Sequence, residues 1–196
     1  MKKILATVLA LVMVLAMAGC NSNKNNETTA ATTTEAALNL PSTALAMLEA
    51  VWDNYAEDEK FAVIGGNMEN AVDNAPGNYD MQYAENLTYN LLIPAEDLAN
   101  VKEAATMIHM MNANTFTGGV VRMAEGADAS AFAATMREAI QNNQWMCGFP
   151  DRMLVKALGD AYVVVAFGVN DAMDPFETHL NAAYPGLETV ASENIA

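Results

Sequence analysis

The chain has 196 residues, 53% of them hydrophobic, and a formal net charge of −15 from 24 acidic and 9 basic side chains. So acidic a chain is a poor partner for nucleic acid or anionic lipid surfaces, which repel it electrostatically. Two cysteines exclude a disulfide-rich scaffold, so the fold must rest on a hydrophobic core.

Lys2 and Lys3 precede an apolar run from Ile4 to Ala18, which closes on Met17-Ala18-Gly19-Cys20. Charge, apolar run and small residues at the cut make a secretory signal over residues 1–19. The run is shorter than the ~20 residues a spanning helix needs. A cysteine directly after the cut marks a bacterial lipoprotein. Met17 stands where such signals usually carry Leu, but it is still apolar and unbranched at Cβ. The expectation is that Cys20 is acylated and holds the protein at the outer face of the cytoplasmic membrane. A diacylglyceryl group would supply at one residue the two chains that stable anchoring needs. Residues 20–40 are rich in Asn, Thr, Ala and Glu without an aromatic. They cannot bury enough apolar surface to offset ordering entropy, and read as a disordered tether. The remainder, 41–196, has the size of a single domain.

Pro41-Ser42-Thr43 opens the domain. Leu45, Leu48, Trp52 and Tyr55 fall on one helical face, and Glu57-Asp58-Glu59-Lys60 ends that N-terminal helix. Phe61 to Ile64 reads as a short strand turning at Gly65-Gly66. Asp73 to Asp80 is a loop by its Pro, Gly and Asn content, with Tyr79, Tyr83 and Tyr89 adding aromatic surface. Pro94 with Glu96 and Asp97 starts a short helix. Thr106–Met111 and Phe116–Met123 form a hairpin across Asn112-Ala113-Asn114. Asp128 caps a helix that presents Phe132, Met136 and Ile140. Met153–Leu158 and Tyr162–Phe167 form a second hairpin, with Val163-Val164-Val165 the strongest strand signal. Asp174-Pro175-Phe176-Glu177 has the form of a capping box opening a last helix, stopped by Pro185-Gly186. The expected fold is α+β: an antiparallel sheet in β-β-α-β-β-α order, helices packed on one face, plus the N-terminal helix.

Chemical motifs are few. The two histidines, His109 and His179, are far apart in sequence and lack ligand spacing. The Asp73–Asp80 loop lacks the EF-hand order. No serine sits in a nucleophile elbow, and no glycine-rich nucleotide loop occurs. Gly65-Gly66 and Gly118-Gly119 read as turn or strand-edge glycines. With Cys20 lipidated, Cys147 has no disulfide partner. Its neighbours Trp145, Met146 and Phe149 suggest a small buried hydrophobe, and a thiol–histidine pair would be the single nucleophilic arrangement available. Of fourteen methionines, Met107, Met110, Met111 and Met123 fall in the first hairpin and read as core filling.

Met110-Met111-Asn112, the strand Thr117–Met123, the helix begun at Asp128 and the hairpin Leu158-Gly159-Asp160-Ala161-Tyr162-Val163 carry a resemblance. From Met107 to about Tyr184 the chain resembles small lipoproteins of Gram-positive gut anaerobes, a family known as a domain of unknown function. That resemblance implies the element order and a surface location, and no activity.

No cofactor or metal is expected. The reading favours a non-enzymatic extracytoplasmic module that binds a peptide, glycan or protein, without nucleic acid. Trp145, Phe149 and Pro150 are the candidate contact surface, aromatics beside a chain break. The alternative is a small extracytoplasmic hydrolase with a carboxylate site, since acidic residues are plentiful.

Overall fold

The longest apolar runs of the domain become the centre of one antiparallel sheet. The computed structural model describes residues 40–195 apart from 112 and 114. The signal over 1–19, Cys20 and all of the expected tether except Leu40 therefore lie outside the described residues. So do Asn112 and Asn114 of the expected hairpin loop.

The described strands are β1 (Val63–Gly65), β2 (Val72–Asp73), β3 (Gly77–Asn78), β4 (Val101–His109), β5 (Phe116–Met123), β6 (Arg152–Leu158), β7 (Tyr162–Gly168) and β8 (Glu188–Asn194). The helices are α1 (Ala44–Trp52), α2 (Leu87–Asn90), α3 (Ala129–Gln141) and α4 (Asn170–Ala183). Two 3₁₀ segments, Met81–Asn86 and Ala95–Asn100, flank α2. The protein is thus mixed α+β, with an eight-stranded sheet in the order β2-β1-β4-β5-β7-β6-β8 and β3 paired to β4.

Register gives the sheet two distinct ends. Phe116 pairs with Gly168, and Gly168 with Arg152. His109 pairs with Val63. These residues lie at the distal end, with the β4–β5 turn and the loop before β6. At the proximal end Arg122 pairs with Tyr162. There the Tyr162 hydroxyl donates to the Pro41 carbonyl at 2.8 Å and Arg122 to that of Ser42 at 3.1 Å. Pro41 and Ser42 are thus held at the proximal end.

Helices cover both faces of the sheet, not one as the sequence suggested. Tyr162, Val164 and Ala166 of β7 pack with α1 and α4 through Leu48, Trp52, Met173 and Phe176. Val163, Val165 and Phe167 point the other way, to Leu87 and Leu91 and to Phe132, Met136 and Ile140 of α3. The physical reason is visible in Val163-Val164-Val165. A strand with one wet face alternates, and a continuous apolar strand is buried on both.

Two helix boundaries and one glycine pair also differ. α1 ends at Trp52 rather than at Glu57–Lys60. α4 starts at Asn170, so Pro175 lies inside the helix and Asp174–Glu177 is no capping box. Glu177 instead takes Arg152 at 2.8 Å and Lys156 at 3.4 Å, while Asp151 Oδ2 accepts from the Asn170 N–H at 2.9 Å. A carboxylate from the strand-entering loop thus caps this helix, which no local motif announces. Gly118 and Gly119 sit in the middle of β5, not at an edge.

Candidate binding groove

Gly119 is where the site begins. A Cβ there would lie 2.5 Å from a methyl of Leu91, so glycine makes the seat in which Leu91 rests on the sheet. Leu87, Leu91 and Ile93 are fully buried. They dock the four-residue α2, too short to stand by propensity. Asn90 donates through Nδ2 to the Tyr79 hydroxyl at 3.1 Å. Tyr79 is buried rather than surface aromatic, and burial first, then the charges of Glu69 and Glu85, push its phenol up.

The chain then turns with Leu92 at φ 61°, in the left-handed region that favours glycine. The Leu92 side chain, half-buried against the core, lines two adjoining concavities of about 590 and 450 Å³. They share Thr88, Tyr89, Leu92 and Asn143, and so form one groove. The α2 segment makes one wall. The other is the end of α3 and the loop after it, with Asn143, Gln144 and Trp145. Ile108, Thr117 and Phe167 of the sheet make the distal floor.

Of the expected contact residues, Trp145 belongs to this groove but is half-buried, its ring 5.2 Å from that of Phe167. Its indole N–H is buried without a partner. Phe149 is 69% exposed, and Pro150 is buried. The residues missed are Met146 and Tyr89, 87% and 80% exposed. A tyrosine beside Asn-rich turns was the available signal for Tyr89. Met110 and Met111 are also exposed, while Met107 and Met123 fill the core as expected. Met110 and Met111 follow the end of β4 at His109, outside the strand the sequence placed them in. Cys147 is exposed, contrary to the buried reading. Its loop rises off the sheet end, and the aromatic neighbour that turns inward is Trp145.

Cys147 and His109 do meet, at a smaller cavity of about 150 Å³ that Trp145 also lines. His109 stacks on Phe61 at 5.1 Å and 9°, and its Nδ1 accepts the Met111 N–H at 2.9 Å. Burial lowers its pKa. The neutral ring therefore carries its proton on Nε2. His179 lies on the other side of this aromatic cluster, 4.4 Å from the Tyr55 ring and 3.2 Å from Glu59. The Tyr55 hydroxyl is buried without a partner, and burial, then Glu59, raise its pKa.

Another concavity, of about 890 Å³, lies at the proximal end. It mixes Lys102 and Arg122 with Glu125, Asp128 and Asp160. Arg122 is engaged by Ser42 and lies 3.7 Å from Glu103, and Asp128 accepts from the Ala131 N–H to cap α3, so these groups serve the fold. Among the described residues no group of three or more His, Cys, Asp or Glu could hold a metal, and no helix is long and apolar enough to cross a membrane. Comparison with family models, curated proteins and solved structures finds no match to this chain.

Proposed function

We propose that this chain is a lipid-anchored module of the bacterial cell surface that binds a partner, without catalysis, in the groove between α2 and α3. The observation that carries the reading is a formed groove rimmed by exposed Tyr89 and Met146, with Phe149 on the same loop. Large exposed apolar side chains gathered at one concavity mark an interaction site rather than an ordinary surface. The order Lys2-Lys3, apolar run, Cys20 supports the anchor. The domain takes up the preceding chain at the proximal end, which supports a groove facing away from the membrane. The likeness to small Gram-positive lipoproteins, with its ββα-ββα order, belongs to the same proposal.

The shared cavity of Cys147 and His109 favours a second reading, a small hydrolase. A base for the thiol needs a ring nitrogen free to accept. With Nδ1 already accepting from Met111, Nε2 is the protonated atom. Hydrogen bonds hold the Glu59 and Glu193 carboxyls below their ordinary range, the wrong direction for a general acid.

Two measurements test the proposal. Cys20→Ala should release the protein to the medium or leave it unprocessed; recovery of the variant in membranes at mature size sinks the anchor. p-Nitrophenyl acetate cleavage should be the same for wild type and Cys147→Ala. An acyl-enzyme burst present in wild type and lost in that variant establishes the hydrolase instead.

A further inference from the structure

We infer that the groove between α2 and α3 takes a segment of an uncharged polysaccharide, an inference that rests on the binding-module reading above. The first observation is electrostatic. The chain carries 24 acidic side chains, yet no Asp, Glu, Lys, Arg or His lines either concavity of the groove. A charged ligand would find no counter-charge there, and desolvating it without one is costly.

The second observation is the kind of polar group present. Thr88, Asn90, Asn143 and Gln144 line the groove with hydroxyl and carboxamide groups. A carboxamide both donates and accepts, as a sugar hydroxyl does. The side chains of Asn143 and Gln144 have no partner within the described protein, and Asn90 keeps its carbonyl oxygen after donating to Tyr79. Beside them stand Tyr89, 80% exposed, and Trp145. Aromatic faces accept the apolar C–H face of a pyranose ring, and the exposed Tyr89 hydroxyl can reach its hydroxyls. The Trp145 N–H is buried and offers its ring, not its donor, to the groove.

The third observation separates a glycan from a peptide. An extended peptide is commonly captured on a free strand edge. The strands with a free edge are β2, β3 and β8, and none of them lines the groove. A docking helix wants a continuous apolar trough, whereas this groove alternates amides with apolar groups. Its two joined concavities suit a chain of sugar units rather than one small molecule. Leu92 fits the same picture, because a side chain held at φ 61° where glycine is favoured keeps a wall in place where the two concavities meet.

The test uses detergent-solubilised full-length chain on immobilised β-glucan, galactomannan and arabinoxylan. Polygalacturonate and an immobilised peptide library run in parallel. The expected result is retention on a neutral polysaccharide, weaker by about tenfold in Tyr89→Ala and in Asn143→Ala, roughly the loss of one good contact. Both variants should keep the wild-type melting temperature. No retention on any neutral polysaccharide, or retention undiminished in both variants, overturns the inference. Equal retention on polygalacturonate overturns the uncharged class. Capture of a peptide that is lost in Tyr89→Ala overturns the glycan assignment and leaves the binding module standing.

Discussion

Leu92 is the residue whose backbone most needs an explanation. A left-handed conformation costs a side-chain-bearing residue roughly 1–2 kcal/mol relative to right-handed backbone. Replacement therefore separates backbone from side chain. Leu92→Gly and Leu92→Ala both lose the wall, but the alanine keeps the strain. The glycine variant should be the more stable of the two by about 1 kcal/mol in chemical denaturation, the reverse of the order inside a helix. An alanine variant equal to or firmer than glycine would show that the turn is not left-handed in solution. His109 offers a second measurement at this scale. Burial lowers its folded-state pKa below that of the unfolded chain. The unfolded state then binds the proton more readily, so stability is full above the ordinary histidine value and falls as pH drops through it. Melting temperature should decline between pH 7.5 and 5.5. His109→Phe, which keeps a ring on Phe61, should decline less; an equal decline assigns the effect elsewhere.

At the scale of elements, Gly119 and Asp151 act at a distance from what they support. Gly119→Ala should destabilise the fold by about 1–3 kcal/mol, because Leu91 is buried and has little room to retreat. It should also weaken binding in the groove, since α2 sits on that leucine. A variant with wild-type stability would mean that α2 is not seated there. Asp151→Ala should cost about 1 kcal/mol, the usual value of a helix cap, although Asp151 precedes β6 and the helix is α4. Unchanged thermal unfolding would dissociate the two. These cases show why some elements were legible and others not. Asp128 and the apolar face Phe132, Met136 and Ile140 are local signals, and α3 forms on them. The hairpin strands carry their own apolar runs. β8 was not read as a strand because of its seven residues just Ala191 is buried. Pairing with β6, and Arg137 of α3 reaching Glu193 at 2.6 Å, hold it in place. The groove was legible only at Trp145. Its other wall depends on a contact between Gly119 and Leu91 that no local pattern encodes.

For the whole molecule, the second helical layer matters most. With both faces of the sheet covered, Met110, Met111, Met146 and Phe149 are exposed at the distal end, while Met68 and Leu40 are exposed elsewhere. Phe149→Asp on the exposed loop should leave melting temperature unchanged, whereas Phe132→Ala in the buried layer should cost about 3–5 kcal/mol. Equal effects would deny that distal residues are spare to the fold. Limited proteolysis of the full chain should cut between Asn21 and Leu38 first and leave a resistant remainder. Early cuts between Asp128 and Tyr184 would contradict the packing of α3 and α4.

The placement of Pro41 against Tyr162 has a mechanical consequence. Pro41 is held at one end of the strands, and the groove lies toward the other. Tension applied between Pro41 and a molecule seated in the groove would run along the strand axes. The rungs of β4, β5 and β7 would then share the load in shear, instead of being peeled one after another from an edge. Rupture would require many backbone hydrogen bonds to yield together, and forced unfolding is governed by that barrier rather than by equilibrium stability. A domain of ordinary thermodynamic stability would in this direction of pull resist force stiffly.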